Sequence, residues 1–153
     1  MSLGGGGGGG AMQQIQEQMQ ALEQEKQAIQ NEIGNIRDEQ SEIDEAIEAI
    51  GALDTGSTVQ VPLGGDAYVR AEIQDIDEVI VTLGGGYAAE RDSDGAIDSL
   101  EQKKDALDDR IDELESEIEA VEEETENLEA KAQQAQQQQM QQMQQQMQGQ
   151  DDE

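Results

Sequence analysis

The sequence predicts an α+β fold in which a long antiparallel helical coiled-coil hairpin carries two β-hairpins inserted between its helices. Three observations lead there. Apolar residues recur at alternating steps of three and four near both ends of the chain. Between those segments the period shortens to two. Clusters of glycine and aspartate break that middle region into four short runs.

Composition sets the limits. The 153 residues are 34% hydrophobic, with two tyrosines and neither tryptophan nor phenylalanine, so the large side chains that fill a compact core are missing. The apolar residues suffice for a thin seam between helices. A net charge of −29, from 37 acids and 8 bases, rules against nucleic acid, which is bound by clustered lysine and arginine. The same charge suits a salt-rich cytoplasm, where a screening length of about 3 Å at molar salt suppresses self-repulsion. An acidic disordered chain is the competing reading, and the regular apolar spacing argues against it. There is no cysteine or histidine, hence no disulfide framework, no thiolate or zinc constellation and no histidine-based triad. No apolar run is long enough for a membrane span. Residues 1–10, MSLGGGGGGG, lack the basic start and apolar stretch of a signal peptide and read as a flexible glycine-rich leader.

The first helix is expected over 11–51. Met12, Ile15, Met19, Leu22, Ile29, Ile33, Ile36, Ile43, Ile47 and Ile50 follow a heptad seam, interrupted only by Lys26 and Gln40. At a rise of 1.5 Å per residue the helix is about 60 Å long. Gly51 and the run Asp54–Thr58 end it. The last helix is expected over 95–138. Its seam is Ile97, Leu100, Leu107, Ile111, Leu114, Ile118, Val121 and Leu128, with Lys104, Thr125, Ala132 and Ala135 at weaker positions. Asp92, Ser93 and Asp94 are candidates to cap its start. Antiparallel packing pairs Ile50 with Ile97, Ile36 with Ile111, Ile29 with Ile118, Met19 with Leu128 and Met12 with Ala135, and every layer matches. The polar seam residues Lys26, Gln40, Lys104 and Thr125 then face apolar partners, a cost in stability that fixes alignment.

The β region is expected over 57–91, as VQVPL, AYVRAEI, EVIVTL and YAAE with glycine- or aspartate-bearing turns between them. Pro62 cannot donate to a ladder and marks an edge. Two small hairpins are marginal alone. EVIVTL (78–83) is apolar on both faces, so both faces are expected to be covered, most simply by another subunit. The candidate oligomerisation residues are Val59, Val61, Leu63, Tyr68, Val69, Val79, Val81 and Leu83.

Long helix, two β-hairpins, long helix: with the stretch VPLGGDAYVRAEIQDIDEVIVTLGGGYAAE, the chain resembles the α-type subunits of archaeal prefoldin over nearly its whole length. The resemblance implies an ATP-independent holdase subunit, cytoplasmic, in a hexamer of two α-type and four β-type subunits. The strands would build a platform, and the helix tips would hold unfolded proteins for delivery to a group II chaperonin. A structural coiled-coil adaptor that assembles through its strands without holding clients is the alternative.

Two motifs point elsewhere and carry little. Gly84–Ala89 fits G-x-G-x-x-A, but a strand follows where that fingerprint needs a helix, so no cofactor is expected. Glu90–Glu101 approaches a calcium loop, with Asp92, Asp94, Gly95, Asp98 and Glu101 near ligand positions, yet it lacks the leading aspartate and the helix before it. A polar turn and helix cap explain it, and no metal is expected. No nucleophile–base pair emerges, so no enzyme is expected either. Last comes the Gln/Met-rich acidic tail, 139–153. In an antiparallel hairpin its Met140, Met143 and Met147 belong near Met12, Ile15, Met19 and Leu22, and these seven are the candidate client-binding residues. The tail methionines are one residue out of phase with the seam, whose continuation falls on Gln139 and Gln142. They are either a frayed low-complexity end or adaptable apolar groups offered to varied partners.

Overall fold

The computed structural model describes residues 6–84 and 86–151; part of the expected leader (1–5), Gly85 of the second turn, residues 152–153 of the tail and the side chain of Leu83 lie outside the described residues. The elements run α1 (Gly6–Ala52), β1 (Thr58–Gly64), β2 (Ala67–Glu72), β3 (Val79–Gly84), β4 (Tyr87–Arg91) and α2 (Ser93–Asp151). Both helices outrun the expected limits of 11 and 138. A helix costs most to nucleate and little to extend; glutamine and methionine extend α2 well, whereas the added turn of α1, Gly6–Gly10, is glycine and has no such propensity.

Two compact units divide the chain, one of Gly34–Asp112 and one of Met1–Ile33 with Glu113–Glu153. In the first, Ile36 and Ile43 of α1 and Ile111 of α2 are buried. In the second, Leu22, Ile29 and Ile33 are buried, as are Leu114, Val121 and Leu128. All lie on the heptad seams. The polar seam residues, expected opposite apolar ones, also find polar partners. Within the first unit Lys104 Nζ reaches Asp44 Oδ1 at 2.8 Å, and the Gln40 amide donates to Lys104 O at 3.2 Å and to Asp108 Oδ1 at 2.6 Å. Within the second, Lys26 Nζ meets Glu122 Oε1 at 3.0 Å, and the Thr125 hydroxyl donates to Val121 O. Long side chains leave the seam with their stems covered and their polar ends at the wet flank. Both ion pairs, Lys26 with Glu122 and Lys104 with Asp44, flank the expected layers by one residue, where a slip of one heptad would displace them by six or eight.

The strands form two separate two-stranded antiparallel sheets, β1 with β2 and β3 with β4. Val59 pairs with Ala71 and Val61 with Val69; Val81 pairs with Ala89 and Thr82 with Ala88. Each hairpin shifts register one residue before its turn, between Pro62 and Gly64 and between Thr82 and Gly84. Gly65 (φ 57°) and Asp66 (φ 63°) both occupy the left-handed region, the signature of the mirror-image turn whose twist suits a hairpin. Asp66 tolerates it because its short polar side chain is among the few that do. The base of the first hairpin is closed by Gly56 N to Ile73 O (2.7 Å) and Ile73 N to Ser57 O (2.8 Å). Ile76 N donates to the Thr55 hydroxyl, tying the connection between hairpins to the end of α1.

Candidate functional site

Two surfaces offer apolar side chains: the hairpins and the far part of α2. Directly opposed residues of an antiparallel pair project to the same side. Val59, Val61, Val69 and Ala71 therefore share one face of the first hairpin, and Tyr68 and Pro62 lie on the other. Val59 and Ala71 are half-buried near the base, while Val61, Leu63, Tyr68 and Val69 are exposed.

The second hairpin is different. Val81 is only 5% exposed. With Thr82 it lines a hollow of about 260 Å³ against Ser99, Gln102, Lys103 and Ala106 of α2. Those α2 positions recur every three or four residues, so one helix face lies along the strand. Ala96 and Ser99 are buried on that face, off the heptad seam. The expectation that EVIVTL needs an outside cover on both faces is thus corrected: the chain's own α2 covers the Val81 side. The other side remains open, with Ile80 73% exposed. Val79 is half-buried and shares a second hollow, of about 430 Å³, with Ile50, Leu53, Ile73, Ile76 and Ile80. The backbone of Leu83 belongs to β3, and its side chain lies outside the described residues.

Sequence reasoning omitted Ile80 and Tyr87, both exposed large apolar residues. The period of two held the signal for Ile80. If Val79 and Val81 point inward, the residue between them points out.

Along the helices, Met12, Ile15 and Met19 are half-buried in the seam and Leu22 is buried, so Leu22 presents little surface. Met140, Met143 and Met147 are 67%, 69% and 72% exposed. Their spacing of three and four puts them in one stripe of a helix that continues to Asp151.

The acidic loop is a cap. Asp92 Oδ1 accepts the Gly95 N–H at 2.7 Å and Asp92 O accepts the Ala96 N–H at 2.8 Å, opening α2 with Asp94 in its first turn. Among the described residues no group of three or more acids could hold a metal ion. Within the Gly84–Ala89 stretch, Gly84 ends β3 and Tyr87, Ala88 and Ala89 belong to β4, so no helix begins there. Two seam lysines have shifted ionisation. Hydrogen bonding to Glu122 raises Lys26, and hydrogen bonding to Asp44 raises Lys104, each helped by nearby negative charge.

Residues 16–138 match the family model described as prefoldin subunit. The chain belongs to the prefoldin family. Its relatives include the prefoldin subunit alpha of Haloarcula marismortui, 62% identical over 94 residues, and that of Natronomonas pharaonis, 80% identical over 50 residues. These alignments cover 61% of both chains in the first case and 33% in the second, so the matched part spans about three-fifths or less of those relatives. A filamentous prefoldin from Methanocaldococcus jannaschii is similar with a TM-score of 0.52 at 25% identity, over 78% of this chain and 96% of that one. The prefoldin beta subunit of a Thermococcus strain, KS-1, shares the fold with a TM-score of 0.52 at 19% identity, over 81% of this chain and 90% of that one. The relatives identified as alpha subunits include several from halophilic archaea, in keeping with the charge of −29.

Proposed function

We propose that this prefoldin-family chain is the α-type subunit of an ATP-independent holdase. It assembles with β-type subunits, two of the former with four of the latter, through its β-hairpins. It binds unfolded polypeptides in the cytoplasm with the methionine-bearing parts of its helices, and releases them to a group II chaperonin. The observation that carries this reading is the stripe of Met140, Met143 and Met147, exposed on the helix beyond the seam. Methionine is flexible and polarizable, so the stripe fits many apolar segments. Each methionine buried against a client contributes at most roughly 1.5–3 kcal/mol before ordering costs. Weak contacts repeated over several subunits hold by avidity and still release. Val61, Leu63, Tyr68, Val69, Ile80 and Tyr87 supply apolar strand surface that supports assembly through the hairpins.

The test uses the full chain mixed with a β-type partner at molar salt. A complex of hexameric mass that suppresses aggregation of an unfolded protein is expected. Replacing Met140, Met143 and Met147 by glutamine should leave mass and helicity unchanged and weaken that suppression. A hexamer that never protects clients would make the chain a structural adaptor. Full protection by the substituted hexamer would leave the methionines without this role.

A further inference from the structure

The apolar seam does not by itself say which heptad of α1 lies beside which heptad of α2. Slide one helix by seven residues, about 10 Å, and Lys26, Gln40, Lys104 and Thr125 still fall opposite apolar seam residues. Nor does the Lys26–Glu122 ion pair decide. On α2 the line through Glu122 carries an acid in every heptad: Glu101, Asp108, Glu115, Glu122 and Glu129. Lys26 therefore meets a carboxylate in the observed alignment and in either slip. Gln40, which donates to Asp108, would likewise meet Glu101 or Glu115.

Lys104 is different. The α1 line through its partner reads Gln30, Arg37, Asp44 and Gly51, with a single acid among the four. In the observed alignment Lys104 sits 2.8 Å from Asp44. A slip in one sense puts Arg37 in Asp44's place, opposing two cations. A slip in the other puts Gly51 there, which has no side chain. We infer that Lys104, through its pairing with Asp44 and its repulsion by Arg37, is a residue that selects the heptad alignment of the helical hairpin. A polar residue at a seam position is well suited to this, since it specifies alignment where apolar layers are interchangeable.

The chain has no cysteine, so introduced pairs report alignment without interference. Three full-length chains carry Ile111→Cys, combined with Ile36→Cys for the observed alignment or with Ile29→Cys or Ile43→Cys for the two slips. Equilibration in a glutathione buffer gives the effective concentration of each pair, and circular dichroism gives helicity. Lys104→Gln should raise both slipped pairs relative to the 36–111 pair by roughly twofold to fivefold, the range for a partly exposed ion pair. Lys104→Asp repels Asp44 and attracts Arg37, so it should raise 29–111 more than 43–111. Arg37→Glu leaves Lys104 and Asp44 in place and, beyond the loss of Arg37's own interactions, which favours both slips alike, should raise 29–111 more than 43–111; this guards against a Lys104 variant that fails to fold. Unchanged ratios in all three variants would overturn the inference and assign alignment to the seam and the hairpins. Loss of helicity without a rise in slipped pairs would overturn it too, leaving the pair a stabilising contact only.

Discussion

Asp92 shows how much one residue does at a helix start. Its carboxylate accepts the Gly95 N–H, and a Cβ built on Gly95 would stand 2.7 Å from that same oxygen. Asp92→Ala should cost about 1 kcal/mol by removing the cap. Gly95→Ala should also destabilise, because the capping carboxylate must move; equilibrium denaturation at constant salt measures both. The capping triplet Asp92, Ser93, Asp94 is legible in sequence, but which of the three caps depends on where the chain leaves β4. Lys104 gives a second test at this scale. Its ionisation is raised from the ordinary value of 10.5 by Asp44. A lysine raised by folding stabilises fully below its unfolded value, and the contribution disappears as pH climbs through the folded one. The parent should therefore lose its advantage over Lys104→Gln as pH rises above about 10.5, and thermal melts across pH 9–12 check this.

At the scale of elements, α1 carries a glycine inside its seam-bearing stretch. Gly34 is exposed, and a Cβ built there meets nothing within 4 Å. Gly34→Ala should therefore stabilise by about 1 kcal/mol, the helix-propensity difference, and raise the midpoint of thermal unfolding. The hairpins yield an opposed pair. Val81 is buried against α2 and Ile80 faces out. Val81→Asp should destabilise the single chain, since it puts a charge where an apolar side chain is buried. Ile80→Asp should leave the single chain's melting nearly unchanged and reduce assembly with a β-type partner. Sedimentation combined with melts of each variant separates the two effects. Equal behaviour of both variants would remove the distinction drawn between the faces.

For the whole molecule the dominating quantity is charge. Thirty-seven acids lie on a chain whose buried residues, among those described, are mostly isoleucine, leucine and valine of the heptad seams. Lowering salt from molar to tens of millimolar lengthens screening from about 3 Å to beyond 10 Å. Helicity and assembly should fall together, as read by circular dichroism and mass. Helicity that stays constant over this range would show that the seam outweighs the repulsion.

The heptad seams were legible because burial on a helix must recur every three or four residues, and nothing else in so apolar-poor a chain could satisfy that spacing. The turns were legible as well: Gly64 and Gly65 announce backbone conformations that most residues avoid, and the structure adds Asp66 to them. Three things were decided only by the tertiary structure. Val81 is covered by α2 and Ile80 is not, because which face of a strand turns inward depends on what lies beside it. Lys26, Gln40 and Lys104 find partners across the hairpin, because a long side chain's polar end reaches residues distant in sequence. Met140, Met143 and Met147 stay exposed on a helix that keeps its form past the last seam residue. Helix propensity carries the backbone onward there, while the seam that would have buried them has already run out.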